Sequence, residues 1–421
     1  MEEFDLLDPK KNRVLTTPKY LKDHFRSLNY HPLPKNRIIK KIKLFIDLKL
    51  LRKLRIIMNL LINGKLIFSK PPNFEYLIFD DVASKEVGKI MPTSIYFALP
   101  TRIEKFKNIY ISKEIIIYLI KNFFRNSIKV NYLCCLIKII KPKTVVTIAD
   151  ISLDFSLVSS ILKNSGIKFL AIQDSYRQIE VLSKLHYLPN YLTYGNHEVG
   201  IIKKYNKNIS KVKSVGSWKA AVAKDYFEKN NINLNENKYD ICLISEAHFF
   251  LNQEYVGVKN IIENIGLVAR YTLKFCKKFN KKIIFSGRAD INSGNKKNGE
   301  KIFYRNQIKD QEFNISFPNR SKYENYRNLI NSNLVIGSHS TILKEIFEFK
   351  KKILWCDWVD TTEFPSKGIC VLKSKRYEDF EKKVLELLEI NYQEYISKID
   401  DIDSVYNTNV DTLNFLKQEI R

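Results

Sequence analysis

From residue 74 onward, short apolar runs alternate with longer segments of helical period, and this alternation constrains the fold more than any other feature of the chain. Residues 74–79, 94–99, 143–148, 166–172, 191–194 and 211–215 read as strands, and 113–124, 130–140 and 155–164 as helices. Strand–helix–strand order at this spacing implies right-handed crossovers and parallel sheets. A helix opens at Gly216-Ser217, and then the stretch 230–238, NNINLNENK, loses all periodicity. It is polar and Asn-rich, as a linker is. A second series follows, with strands at 240–244, 282–286, 314–317, 334–336, 353–356 and 369–372 and helices at 256–279, 323–331, 340–349 and 377–388. The Gly/Asn/Lys-rich stretch 289–300 reads as a loop. The expected fold is α/β: two Rossmann-like, doubly wound domains facing a cleft, at 71–229 and 239–390. A basic, partly helical extension (1–70) precedes them, and a helical segment (391–421) closes the chain.

In open parallel sheets ligands bind outside the carboxyl ends of the strands, so the polar residues just past each strand carry the functional reading. The most informative is 334–345, LVIGSHSTILKE. An apolar run ends in Gly337, hydroxyls follow at Ser338, Ser340 and Thr341 around His339, and a helix begins. Unpaired N–H groups at a helix start, with the dipole behind them, suit a phosphate. The alternative is that Ser338 or Ser340 simply caps the helix. Glu345 lies one turn further on, where a carboxylate can accept both ribose hydroxyls, or can be an ordinary solvated helix residue. Arg288 and Arg320 end two neighbouring strands and could neutralise a diphosphate.

In the first domain, Asp150 ends one strand and Gln173-Asp174-Ser175-Tyr176-Arg177 follows another. Asp150 or Asp174 could act as a general base on an acceptor hydroxyl, and Arg177 could hold a phosphate or carboxylate. N-capping and an ordinary salt bridge are the competing readings. His197 beside Glu198 could form an acid/base pair on the acceptor side, or sit in a surface loop. There is no GxxxxGK[ST], no GxGxxG after the first strand and no zinc pattern, so no essential metal and no cofactor are expected.

Composition narrows the setting. The net charge is +26, and residues 1–70 carry seventeen Lys and Arg against six Asp and Glu. Within them, 35–55 hold nine basic residues and one acid, Asp47. A field of that sign attracts an anionic membrane, a lipid-linked substrate or a nucleic acid. Aromatic-interleaved basic strands and a recognition-helix module are absent, which argues against nucleic acid. The acidic start, MEEFD, is not a signal peptide, and no apolar run is long enough to span a bilayer. The expectation is therefore a cytoplasmic protein held peripherally on the inner face of the membrane through 35–55. The six cysteines are scattered in apolar runs and read as buried free thiols.

The segments KPKTVVTIAD, FLAIQDSYRQ, YLTYGNHE, VKSVGSWK, YDICLISE and FPNRSKYENYRNLINSNLVIGSHSTILKEIFEFKKKILWCD resemble bacterial surface-carbohydrate (capsule or lipopolysaccharide) biosynthesis proteins, glycosyltransferases of the GT-B architecture. The resemblance spans about residues 74–390. The last segment is also similar to the nucleotide-binding half of teichoic-acid-type glycerophosphotransferases and of nucleotide-sugar 2-epimerases. In those relatives the strand–helix turn holds the diphosphate and a Glu about five residues on binds the ribose; the matching positions here are Ser340, Thr341 and Glu345. The first family usually has Asn-Gly where this chain has Asp174-Ser175. The resemblance implies transfer of a sugar from a nucleotide-sugar to a polysaccharide or lipid-linked acceptor. Donor contacts would come from Gly337 through Thr341, Glu345, Arg288 and Arg320. Acceptor contacts would come from Gln173, His197 and Glu198, near Asp150, Asp174 and Arg177. A glycerophospho- or pyruvyl-transferase on the same scaffold, or a non-catalytic membrane-binding protein of the pathway, remain alternatives.

Overall fold

A computed structural model describes residues 65–81, 84–101, 108–234, 238–247, 256–308, 312–338, 340–358 and 368–421. The basic segment 35–55 and His339 lie outside the described residues. The strands are β1 (Lys65–Ile67), β2 (Tyr76–Phe79), β3 (Phe97–Leu99), β4 (Asn108–Tyr110), β5 (Thr144–Thr147), β6 (Lys168–Ile172), β7 (Leu188–Thr193) and β8 (Ile209–Ser214), followed by β9 (Tyr239–Ile244), β10 (Ile283–Ser286), β11 (Ile315–Ser316), β12 (Ser332–Gly337), β13 (Lys352–Cys356) and β14 (Val371–Leu372). Two six-stranded sheets, ordered β3-β2-β5-β6-β7-β8 and β11-β10-β9-β12-β13-β14, are parallel throughout. β1 and β4 form a separate parallel pair. The fold is therefore two Rossmann-like sheets of GT-B-like architecture. In each, the chain works outward from an inner strand, then returns to extend the sheet the other way. The reversals fall between β2 and β5 and between β9 and β12.

Alternation along the strands builds the core. Leu77, Phe79, Val145, Phe169 and Ala171 pack on one face of the first sheet, under the helices Lys113–Lys121, Ile128–Ile140 and Leu153–Ile161. Their neighbours Tyr76, Ile78, Val146, Leu170 and Ile172 point the other way. They join a cluster that runs through Val215, Trp218 and Phe227 into Ile241, Leu243, Leu334, Ile336 and Trp355 of the second sheet. One continuous apolar core thus spans both halves. All six cysteines are buried free thiols.

Three segments differ from their sequence reading. The polar stretch after residue 289 becomes the helix Gly294–Gln307, which buries only Glu300, Phe303 and Tyr304 and so carries little apolar signal. The NHE motif opens the helix Asn196–Tyr205, with the Glu198 carboxylate accepting the Gly195 N–H at 3.2 Å. The segment 340–349 is not one α-helix but an α-turn, Ile342–Glu345, continued as a 3₁₀ segment, Ile346–Phe349.

After the helices Tyr377–Glu389 and Tyr392–Ser397, the chain leaves the second sheet and returns to the first. The helix Thr412–Ile420 docks there. Glu419 meets Lys168 at 3.2 Å and Lys213 at 2.5 Å, and Thr412 donates to the Val215 carbonyl at 2.5 Å. Gly216, at φ 86°, permits this return: a Cβ there would lie 2.6 Å from Thr412 Oγ1 and 2.8 Å from the Tyr406 hydroxyl. Among the described residues no helix is long and apolar enough to cross a membrane.

Candidate functional site

In a doubly wound sheet the point of reversal, here between β9 and β12, is where ligands bind outside the carboxyl ends of the strands. Ser245 and Glu246 follow β9; Ser338 follows β12. The Ser338 N–H and hydroxyl donate to the Glu246 carboxylate at 3.1 and 2.6 Å, with both residues buried. Gly337 leaves room for this: a Cβ would lie 3.2 Å from Glu246 Oε1. Arg288 and Arg320 stand together past β10 and β11, where an Arg320 guanidinium N–H donates to the Arg288 carbonyl. The backbone is fixed by Glu300, which accepts the Arg288 and Ala289 N–H groups at 2.8 and 2.9 Å and the Ser245 hydroxyl. Asp290 accepts the Arg320 N–H at 3.0 Å. Burial first, and the neighbouring Arg320 charge second, bring the Arg288 pKa down to about 10, against the opposing pull of Glu246 and Glu300.

The edge of the first sheet is arranged differently. Asp150 is buried and accepts two bonds from Arg177, at 3.1 and 2.5 Å, and one from the Tyr191 hydroxyl at 2.6 Å. Burial would lower the Arg177 pKa, but the Asp150 charge and hydrogen bonds outweigh it and leave it raised. Asp174 pairs with Lys219 at 3.0 Å. Gln173 braces the turn, accepting the Tyr194 N–H and donating to the Ser175 carbonyl, both at 3.1 Å. His197, on the first turn of its helix, has its pKa lowered by burial; Glu198 opposes the shift and Lys344 adds to it.

The two edges meet at the turn after β12. Thr341 Oγ1 accepts the Tyr176 N–H at 3.1 Å. The Tyr176 ring lies 4.1 Å from the Lys344 ammonium, and Lys344 bonds Glu198 at 2.8 Å with both side chains fully buried. Beside them Glu345, also buried, accepts from Tyr326 at 2.7 Å, Ser217 at 3.1 Å and Tyr194 at 3.3 Å. Burial raises the Glu345 pKa against the pull of Lys219 and the Tyr326 and Ser217 hydroxyls.

The structure thus brings the β12 turn together with the 173–177 segment and Glu198. The two arginines stand on the far side of the reversal, linked to the turn through Glu246. Ser340 is half-buried between Ser338, turned to Glu246, and Thr341, turned to Tyr176. The sequence reading missed Lys344, Tyr194, Ser217 and Tyr326. A signal for the first existed: a Lys-Glu pair set inside the apolar run TILKEIF is out of place unless both charges find buried partners.

No family model matches the chain, and no curated protein matches it. Among solved structures the chain is similar to the UDP-GlcNAc 2-epimerase of Neisseria meningitidis bound to UDP-GlcNAc, at 15% identity and TM-score 0.48, covering 82% of this chain and 98% of that one. It is also similar to the sucrose-phosphate synthase of Thermosynechococcus elongatus, at 8% identity and TM-score 0.43, covering 82% and 94%. A third is the wall teichoic acid polymerase TagF, at 11% identity and TM-score 0.41, covering 82% and 89%.

Proposed function

We propose that this chain is a glycosyltransferase that moves a sugar from a nucleotide-sugar donor to a growing surface polysaccharide or lipid-linked acceptor. The observation that carries the reading is the crowded Arg288–Arg320 pair at the carboxyl edge of the second sheet, beside the β9/β12 reversal. Two neighbouring guanidiniums, that of Arg320 held on the Arg288 carbonyl, suit a diphosphate, whose charge grows as the glycosidic bond to it breaks. The turn Gly337–Thr341 lies across β9 from them. Glu345 reaches a ribose once the Tyr194 and Ser217 hydroxyls withdraw, because a sugar diol can replace those two donors. Residues of the first sheet then face the acceptor, with Asp174 and His197 as the candidate bases. Asp150 is committed to holding Arg177.

A thermal-shift screen of UDP, GDP, CMP, CDP and dTDP tests the binding step. A ligand at about 100 times its Kd adds roughly 2.7 kcal/mol to stability, and at least one of the five raises the melting temperature. Silence with all five overturns the reading. Product analysis with nucleotide-sugars against CDP-glycerol then identifies the group transferred.

A further inference from the structure

The helix Lys113–Lys121 is amphipathic in the ordinary way on one side only. Ile115 is buried against the first half, while Ile116, Ile117 and Ile120 face outward, 47%, 41% and 70% exposed. These three lie at i, i+1 and i+4 and share a face. Phe124, in the turn that ends the helix, extends the stripe and is 90% exposed. Ile116, Ile117 and Ile120 are thus apolar side chains turned away from the core of the first half. The rim of the stripe is basic: Lys113, Lys121 and Arg125 are exposed around it, and the nearest acid, Glu114, is taken by Lys70 at 2.7 Å. Beside it, β1 pairs in parallel with β4 just ahead of the helix, and the Ile111 N–H bonds the Ile67 carbonyl at 2.8 Å. Phe68, 79% exposed, follows β1 there.

We infer that this face is a membrane-docking surface, on which Ile116, Ile117, Ile120 and Phe124 enter the acyl boundary of a bilayer while the basic rim meets anionic headgroups. An apolar stripe with cationic flanks is what an interfacial helix requires, and each Lys or Arg near an anionic leaflet adds to the attraction. At nine residues the helix lies in the interface rather than across it. The occupant is a bilayer rather than another protein because Lys113, Lys121 and Arg125 leave the rim basic, its one acid, Glu114, being paired with Lys70. The inference stands apart from the transferase reading: vesicle binding and nucleotide binding can each fail without the other.

Co-sedimentation of the full-length protein with phosphatidylcholine vesicles, with and without phosphatidylglycerol, tests it. The wild type sediments with the anionic vesicles and not with the neutral ones. Ile120→Ser with Phe124→Ser leaves net charge and melting temperature unchanged and weakens binding by about tenfold or more, since two large apolar side chains no longer leave water. Phe124→Trp acquires a blue-shifted emission quenched by brominated acyl chains. Equal binding by the Ser variant, no binding by the wild type, or emission from the Phe124→Trp variant that brominated chains leave unquenched overturns the inference. So does a wild type that is dimeric where the Ser variant is monomeric, because a second copy then covers the face.

Discussion

At the carboxyl edge of the first sheet each acid singled out by the sequence is met by a cation: Asp150 by Arg177, Asp174 by Lys219 and Glu198 by Lys344. At the edge of the second sheet two cations are pressed together, and burial and mutual repulsion prevail over the nearby Glu246 and Glu300. The same architecture therefore supports two electrostatic designs. The first edge is balanced within itself, so its charges hold shape. The second crowds two guanidiniums together, and under the proposed function an anionic ligand would bind there. Substitutions of Asp150 and Glu198 at the first edge should register in stability, and those of Arg288 at the second in turnover.

The largest effect is expected at the seam between the edges. Lys344→Met strands the Glu198 carboxylate in a dry interior and should lower unfolding free energy by about 3–5 kcal/mol. Adding Glu198→Leu should recover most of that loss, less about 1 kcal/mol for the Gly195 N–H left uncapped. Urea unfolding of the two single variants and the pair checks this; additive losses would mean the pair is not coupled. Asp150→Ala comes next, leaving the Arg177 guanidinium without its carboxylate at a cost of about 3 kcal/mol, read as a lower melting temperature.

Arg288→Ala should do the reverse. Turnover falls roughly 100-fold while the melting temperature holds or rises, because a crowded charge has been removed. Arg288→Lys restores only part of the rate, since an ammonium lacks the planar fork. If Arg288→Ala unfolds the protein, or Asp150→Ala abolishes turnover without loss of stability, the division between the edges collapses. The smallest effect is the pH dependence at Glu345. Its native pKa lies above the ordinary 4.5, so the folded protein keeps a proton that the unfolded chain has already released. Stability from this group is fullest below 4.5 and declines as pH rises through the window up to the native value. Glu345→Gln should flatten that slope, checked by urea midpoints across the window.

The sheets were legible because their strands are short apolar runs ending in polar residues; TVVT of β5 and KFLAI of β6 could hardly be anything else. The helix Gly294–Gln307 was not, because a helix that buries three side chains leaves almost no period in its sequence. The β12 turn could be singled out from its hydroxyls, but not where those hydroxyls point. Thr341 is fixed by a backbone N–H 165 residues away, and Lys344 by a carboxylate 146 residues away. Local pattern carries no information about partners that only the closed fold brings together. The same limit hid the commitment of Asp150, since Tyr191 reads as an ordinary strand residue until Asp150 is placed beneath it.

The return of the C-terminal segment to the first sheet, fixed by Glu419, Thr412 and the fit of Gly216 beneath Tyr406, means that the polypeptide passes between the halves twice. A body joined to another by one strap can swivel and twist; with two straps set apart it retains chiefly a rocking motion about the line through both. Under the proposed function, the Tyr194 and Ser217 hydroxyls would leave Glu345 along one arc and return along it. Because the straps hold the halves at high effective concentration, reclosing needs no search.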